Sequence, residues 1–331
     1  MDSWRGWRAA THDASRWHDS LNIAEESGVL SQIDTDVREK VETMILNDPE
    51  GVASRAPRPQ APGVVDDGRA DSTIYLDSLA DWDAHRSLGV RISARLSRHI
   101  PTRPVALKNE KPIMTFTFDD VPETALTEGA RLLEQAKARG TFYISTALLG
   151  RRTAHWTVID AEGVRELHHG GHEIGLHGHA HLPVGLYRDS EFAADIARNR
   201  ETLRSIDPSM LAENFAYPYG LANFARKLRL SKLVRSSRGV ESGVNSGTID
   251  AQFIRGVALG EASIGYAEID RYLDQAIDNN GWLVFFTHDV GDAPSPYGVS
   301  KRMLHYAVEA AIRRGIDILT LDAALDRAKA R

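Results

Sequence analysis

Residues 112–145 read PIMTFTFDDVPETALTEGARLLEQAKARGTFYIS, and the change of period inside this stretch decides the fold class. Ile113 to Phe118 is a short apolar run with the length and residue types of a strand. Thr124 to Ala138 has helical spacing, Gly140 stops it, and Thr141 to Ser145 is a second apolar run. Strand, helix, strand in so short a span means a crossover between parallel neighbours. The unit recurs toward the C-terminus. Helical stretches at Ala161 to His169, Glu191 to Ile206, Leu221 to Leu230, Tyr266 to Asn279, Ser300 to Arg314 and Leu321 to Ala330 alternate with short segments at Glu173 to Leu176, Asn214 to Tyr217, Lys232 to Arg235, Phe253 to Val257, Trp282 to Phe286 and Ile316 to Leu319. About seven such units favour a β/α barrel over an open doubly wound sheet.

Upstream of the alternating region the text changes. Residues 72–111 read as a helical lead-in, helical from Asp77 to Ile100 until Pro101 and Pro104 interrupt it. Residues 1–71 read as an extension holding one short amphipathic helix, Asp34 to Leu46, and a proline-rich linker from Asn47 to Ser72. The main domain is then 112–331. Of 331 residues, 42% are hydrophobic and 26% charged, which excludes wholesale disorder and fibrous repeats. A formal charge of −6 gives no global pull toward nucleic acid or anionic lipid. The N-terminus lacks the apolar core of a secretory signal and no apolar run is long enough to span a membrane, so a cytoplasmic location is the expectation. With no cysteine in the chain, any metal must be held by His, Asp or Glu.

Four strand-end motifs carry candidate chemistry. Thr117-Phe118-Asp119-Asp120 ends the first strand with two adjacent carboxylates, which are costly unless a positive group lies beside them; a divalent cation fits, and so does capping of the next helix. Between His168 and His181 there are six histidines where about 0.5 are expected from the chain's 13. His168, His169 and His172 read as solvated residues at a helix C-terminus. His177 and His181, four apart and directly after the apolar Ile174-Gly175-Leu176, read as a candidate ligand pair at the end of a strand where α/β folds build their sites. Phe286-Thr287-His288-Asp289 would bring His288 to the same mouth. Ala216-Tyr217-Pro218-Tyr219-Gly220 is a rigid aromatic turn able to present backbone N–H groups. Trp156, Tyr219 and Tyr297 fall in loops flanking that mouth, where sugar stacking and ordinary loop packing are both open.

The four motifs in this order resemble the polysaccharide deacetylases of the nodulation-protein-B homology type, the fourth carbohydrate esterase family, over roughly Pro112 to Leu325. The resemblance implies an α/β fold, a distorted (β/α)7 barrel here preceded by a helical or irregular N-terminal extension. It implies a divalent metal, zinc before cobalt or manganese, held by Asp120, His177 and His181. It also implies Asp119 as general base, His288 as general acid and the Tyr219 backbone N–H as part of an oxyanion site. The expected reaction is hydrolysis of the N-acetyl amide of an oligo- or polysaccharide containing N-acetylglucosamine. The chemistry suits the residue types, because three such ligands with an open position make a metal-assisted hydrolase.

The sequence departs from the family pattern in three places. Ala216 stands where an arginine often orients the catalytic aspartate, Gly178 stands where Ser or Thr usually follows the first ligand histidine, and no Asp-Trp pair appears where many members place the partner of the catalytic histidine. Arg255, placed at a later strand end, is the expected substitute for the missing guanidinium. Two other functions stay open at this stage: a different deacylase or amidohydrolase on the same barrel, and a catalytically silent carbohydrate- or metal-binding module.

Overall fold

A computed structural model describes residues 88–329. The expected helix at Asp34 to Leu46, the linker, the 1–71 extension and the first part of the Asp77 to Ile100 helix lie outside the described residues. Within them, α1 (Leu88–His99) and a two-stranded antiparallel pair, Pro104–Ala106 with Thr248–Asp250, lead into the alternating domain.

That domain is a parallel sheet of eight strands: β1 (Ile113–Asp119), β2 (Thr141–Ile144), β3 (Glu173–Leu176), β4 (Asn214–Ala216), β5 (Ser236–Arg238), β6 (Val257–Ala258), β7 (Trp282–Thr287) and β8 (Asp317–Ile318). The spatial order is β5-β4-β3-β2-β1-β7-β6, with β8 against β1. A parallel bridge between Arg238 and Ile254, just upstream of β6, joins the two outer strands and turns the row into a ring of seven. The barrel is distorted at one seam. β2 pairs only with the upper half of β1, Thr117 to Asp119, and the short β8 fills the lower half opposite Ile113 and Met114. This is the (β/α)7 architecture that the alternation predicts.

The crossovers follow from local sequence. The first is a π-helical stretch, Ala125–Ala130, running into α2 (Arg131–Gln135). Next, α3 (Ala161–His169) starts where the Asp160 carboxylate accepts from the Gly163 N–H at 2.9 Å. It is followed by α4 (Asp189–Ile206), α5 (Phe224–Leu230), α6 (Tyr266–Asp278), α7 (Lys301–Arg313) and α8 (Leu321–Lys329). Two segments are displaced from their expected places: the strand expected at Phe253 to Val257 lies at Val257–Ala258, with only an isolated bridge at Ile254. The strand after α5 lies at Ser236–Arg238 rather than Lys232 to Arg235, because Lys232 and Leu233 are used in the turn that closes α5. Serines are poor strand signals, yet these two are buried and satisfied: the Ser236 hydroxyl donates to Asn214 Oδ1 at 2.7 Å and the Ser237 hydroxyl to Gln252 Oε1 at 2.9 Å.

Strand parity sorts the side chains. Met114, Phe116 and Phe118 of β1 face the helices with Phe142, Leu176, Phe215 and Phe285 from neighbouring strands. The alternate residues face the lumen. Ile113, Ile254, Trp282 and Val284 form its lower core, which Leu321, Ala324 and Leu325 of α8 close from below. The Trp282 indole N–H donates to Thr115 Oγ1 at 2.9 Å within it. Each fully buried large apolar side chain of this kind stabilises by about 1.5–3 kcal/mol. The same parity sends Asp119 and Arg238 inward at the upper end, where the Tyr143 and Phe286 rings lie beside them. Among the described residues no helix is long and apolar enough to cross a membrane.

Candidate metal centre

Asp119 is the last residue of β1, and register places it opposite Tyr143. Both its carboxylate oxygens accept hydrogen bonds from Arg238 Nη2. Arg238 ends β5, is fully buried, and its guanidinium lies 4.8 Å from the Phe286 ring centroid and 5.5 Å from that of Tyr143. Gly175 makes room for this arrangement, since a Cβ there would lie 2.5 Å from Tyr143 Cδ1. Burial pushes the Asp119 carboxyl up, but the Arg238 charge, helped by His177 and His288, outweighs it and holds the group below its usual value.

The guanidinium expected from Arg255 is therefore supplied by Arg238. Arg255 is half exposed and faces Glu241, its Nη2 3.6 Å from Glu241 Oε1. The reason is register. The bridge pairs Arg238 with Ile254, so Ile254 occupies the lumen position and Arg255, one residue on, takes the opposite parity. The sequence did carry a signal for Arg238: it ends a strand directly before Gly239, as Asp119 ends β1, but the strand was invisible to an apolar-run criterion.

After Asp119 the chain turns sharply. Asp120 and Val121 have φ of +57° and +48°, and His181 and Tyr219 have +51° and +57°. Left-handed backbone at non-glycine residues costs about 1–3 kcal/mol each, more at a β-branched valine, and it gathers where side chains must be aimed. Two of the three candidate metal ligands, Asp120 and His181, sit on such backbone. Asp120 Oδ1 lies 3.0 Å from His181 Nε2 and 3.7 Å from His177 Nε2. One ligand atom from each of the three residues lies within 4.8 Å of the others.

The far side of each imidazole is already engaged. His177 Nδ1 is 2.9 Å from the Ala216 carbonyl oxygen, a contact set by the register Leu176 to Phe215. His181 Nδ1 is 3.0 Å from the Tyr219 hydroxyl. His177 Nδ1 faces a carbonyl oxygen and must donate to it, which leaves the Nε2 of the neutral ring its lone pair. Burial lowers His177 to about 4 against the pull of Asp119 and Asp120, so its imidazole is neutral at pH 7. Asp120 Oδ1 is buried and has no hydrogen-bond partner, its approach to His181 lacking hydrogen-bond geometry. Burial raises the Asp120 carboxyl while His181 and His177 lower it further, leaving it ionised. A buried carboxylate oxygen without a hydrogen-bond partner, facing the Nε2 atoms of two imidazoles, is a donor set that fits a divalent cation of the zinc type.

His288 follows β7, two residues beyond Phe286. Its Nδ1 is 3.2 Å from the Tyr297 carbonyl oxygen, and the Trp156 ring stacks on its imidazole at 5.4 Å and 30°. The loop residues Trp156 and Tyr297 thus bracket His288. Asp289 turns away, accepting from the Ser295 N–H and hydroxyl. The Tyr219 ring packs on His181 at 4.5 Å. The other histidines divide. His169 is exposed and His168 half-buried at the end of α3, whereas His172 is buried, accepting from the Gly140 N–H at 3.1 Å and reaching Glu134. It differs from the solvated reading because Gly170 and Gly171 turn the chain back under the sheet, placing His172 beside Phe142.

Among known proteins, the sequence pattern of the family described as polysaccharide deacetylase matches residues 106–233. No curated protein matches the chain. Solved structures do. The chitin deacetylase of the fungal pathogen Colletotrichum lindemuthianum is 14% identical with a TM-score of 0.49, covering 68% of this chain and 92% of its own. A family 4 acetyl xylan esterase from Clostridium thermocellum, solved with cobalt, is 19% identical with a TM-score of 0.44, covering 64% and 90%. The peptidoglycan deacetylase PdaC of Bacillus subtilis is 15% identical with a TM-score of 0.42, covering 67% and 94%. Residues 106–233 of this chain thus carry the sequence pattern of the polysaccharide deacetylase family.

Proposed function

We propose that the protein is a metal-dependent N-deacetylase of oligo- or polysaccharide containing N-acetylglucosamine, releasing acetate and a free amine. The observation that carries this reading is the convergence of Asp120 Oδ1, His177 Nε2 and His181 Nε2 beside a second carboxylate, Asp119, that is held ionised by a buried arginine. A divalent ion, zinc first, held by Asp120, His177 and His181 supplies Lewis-acid polarisation and an acidified water.

The chain's own groups divide the rest. Asp119 is the general base: ionised and fixed by Arg238, it takes the proton of the attacking water. The Tyr219 N–H, on a backbone locked at positive φ, donates to the oxygen that becomes negative as the amide carbonyl is attacked. His288, its Nδ1–H held by the Tyr297 carbonyl, presents Nε2 to give a proton to the departing amine. Without that proton the amide nitrogen is a poor leaving group. Retention of both Asp119 and His288 supports catalysis over silent binding, because a bound cation needs neither.

The experiment is acetate release across a panel of chitooligosaccharides, acetylated peptidoglycan fragments and acetylated xylan, on protein stripped by chelator and reloaded. The expected result is activity on the N-acetylated glycans, lost on stripping and restored by zinc or cobalt. Release from acetylated xylan alone would replace the amide reading with an ester one. Tight metal binding without release from any substrate would overturn catalysis.

A further inference from the structure

The loop from His177 to His181 carries both histidine ligands, and nothing in its own backbone explains its shape. Gly178 and His181 have φ of +75° and +51°, and the segment forms neither helix nor strand. Its carbonyls are taken from one side: the Ser145 hydroxyl donates to the His177 oxygen at 2.9 Å and the Ala147 N–H to the His179 oxygen at 3.0 Å. Three of its N–H groups meet α4 on the other side, that of His177 while also donating to the Ile144 carbonyl at 3.1 Å. The His177 N–H donates to Asn199 Oδ1 at 3.2 Å, the His179 N–H to Asp195 Oδ2 at 2.8 Å and the Ala180 N–H to Asp195 Oδ1 at 3.0 Å. Asp195 and Asn199 are one helical turn apart on one face, and both are buried.

The two side chains have further partners that fix their orientation. Asn199 Nδ2 donates to the Ile144 carbonyl at 3.1 Å and to Thr146 Oγ1 at 3.2 Å, and the Tyr187 hydroxyl donates to Asp195 Oδ1 at 3.0 Å. Asp195 also occupies the room that a side chain at position 178 would use, for a Cβ on Gly178 would lie 3.1 Å from Asp195 Oδ2. A glycine at 178 and a carboxylate reaching in from α4 are thus two halves of one arrangement.

We propose that Asp195, seconded by Asn199, is a positioning residue that sets the histidine loop in its metal-receiving shape before an ion arrives, doing from α4 what a side chain at position 178 cannot do here. The inference rests on the metal site proposed above. Its chemistry is orientational: a buried carboxylate accepting two consecutive N–H groups holds the loop backbone, and the imidazoles follow the backbone. Groups that hold ligands in this way change metal affinity by about 10- to 100-fold when removed.

The test measures zinc affinity by competition with a chromophoric chelator, and the absorption spectrum of the cobalt-loaded protein. Asp195→Asn keeps the shape but replaces one acceptor by a donor. It is expected to weaken zinc binding about tenfold or more and to alter the cobalt spectrum. Asp195→Ala is expected to weaken it further. Leu203→Val, in the buried face of the same helix but remote from the loop, is the control for simple loss of stability. It should lower the thermal midpoint of the metal-free protein while leaving zinc affinity within about twofold. Wild-type protein that binds zinc tightly, with Asp195→Asn binding it within twofold and an unchanged cobalt spectrum, overturns the inference alone. Wild-type protein that binds no zinc overturns the metal site and this inference with it.

Discussion

Asp119 and Glu173, at opposite ends of this one barrel, are both shielded from water, and they are held in opposite ways. Asp119, at the upper end of β1, meets a guanidinium. Glu173, at the lower end of β3, meets only neutral donors: the Asn214 amide at 2.7 Å, the Asp322 N–H at 2.7 Å and the Thr141 hydroxyl at 3.0 Å. Burial disfavours both anions. At Asp119 the Arg238 charge overrides it and the group stays below its usual range. At Glu173 burial prevails, with the nearby Asp322 charge adding to it, and the group is pushed up to about 7 in spite of three hydrogen bonds. Neutral donors partly replace lost water; a buried cation does more. The upper end of the barrel therefore keeps a working charge, and the lower end is closed by a carboxyl that tends to hold its proton.

The comparison can be broken at each end. The largest effect is expected from Asp119→Asn, which keeps the shape and removes the base; deacetylation should fall by about 1,000-fold in kcat/KM. A fall of less than tenfold would show that Asp119 is not the base. Arg238→Lys keeps a positive charge but loses the planar fork, so turnover should fall by about 10- to 100-fold. The acidic limb of the rate profile should also move up by about one pH unit, because a less firmly held Asp119 protonates more readily. An unmoved limb would mean that the arginine only packs.

At the lower end the sign runs the other way. Glu173 binds its proton more tightly folded than unfolded, so the protein should lose stability as pH rises from 4.5 to about 7. The loss amounts to at most about 3 kcal/mol. Denaturant titrations should show that slope reduced in Glu173→Gln. An equal slope in both proteins would remove Glu173 from the account. The smallest effect is expected at the surface: Arg255→Ala, which breaks only a half-exposed contact with Glu241, should change turnover by less than about twofold and leave the acidic limb in place.

The legible part of the fold was its rhythm. Glu173 to Leu176 and Ala161 to His169 are found at their expected bounds because apolar parity, an Asp cap and a Gly-Gly stop all act within a few residues. The spacing of the candidate ligands was legible for the same reason: His177 and His181 belong to one loop, and Asp120 follows its own strand. The substitute arginine was not. Arg238 and Asp119 are 119 residues apart, and their pairing depends on β5 reaching round the ring to face β1 across the lumen. His172 was misread because its burial comes from Phe142 and Glu134, which are remote in sequence.

The sequence alone determined which chemical groups are available and at which strand ends they lie, because strand period, turn chemistry and the spacing within a motif are local properties of the chain. Tertiary structure decided which of those groups meet. A closed ring makes one register choice for every strand, and that choice turned Arg238 inward onto Asp119, turned Arg255 outward, and laid Asp195 and Asn199 against the histidine loop. A buried charge must find its partner across the lumen, and only the closed barrel says which side chain is there.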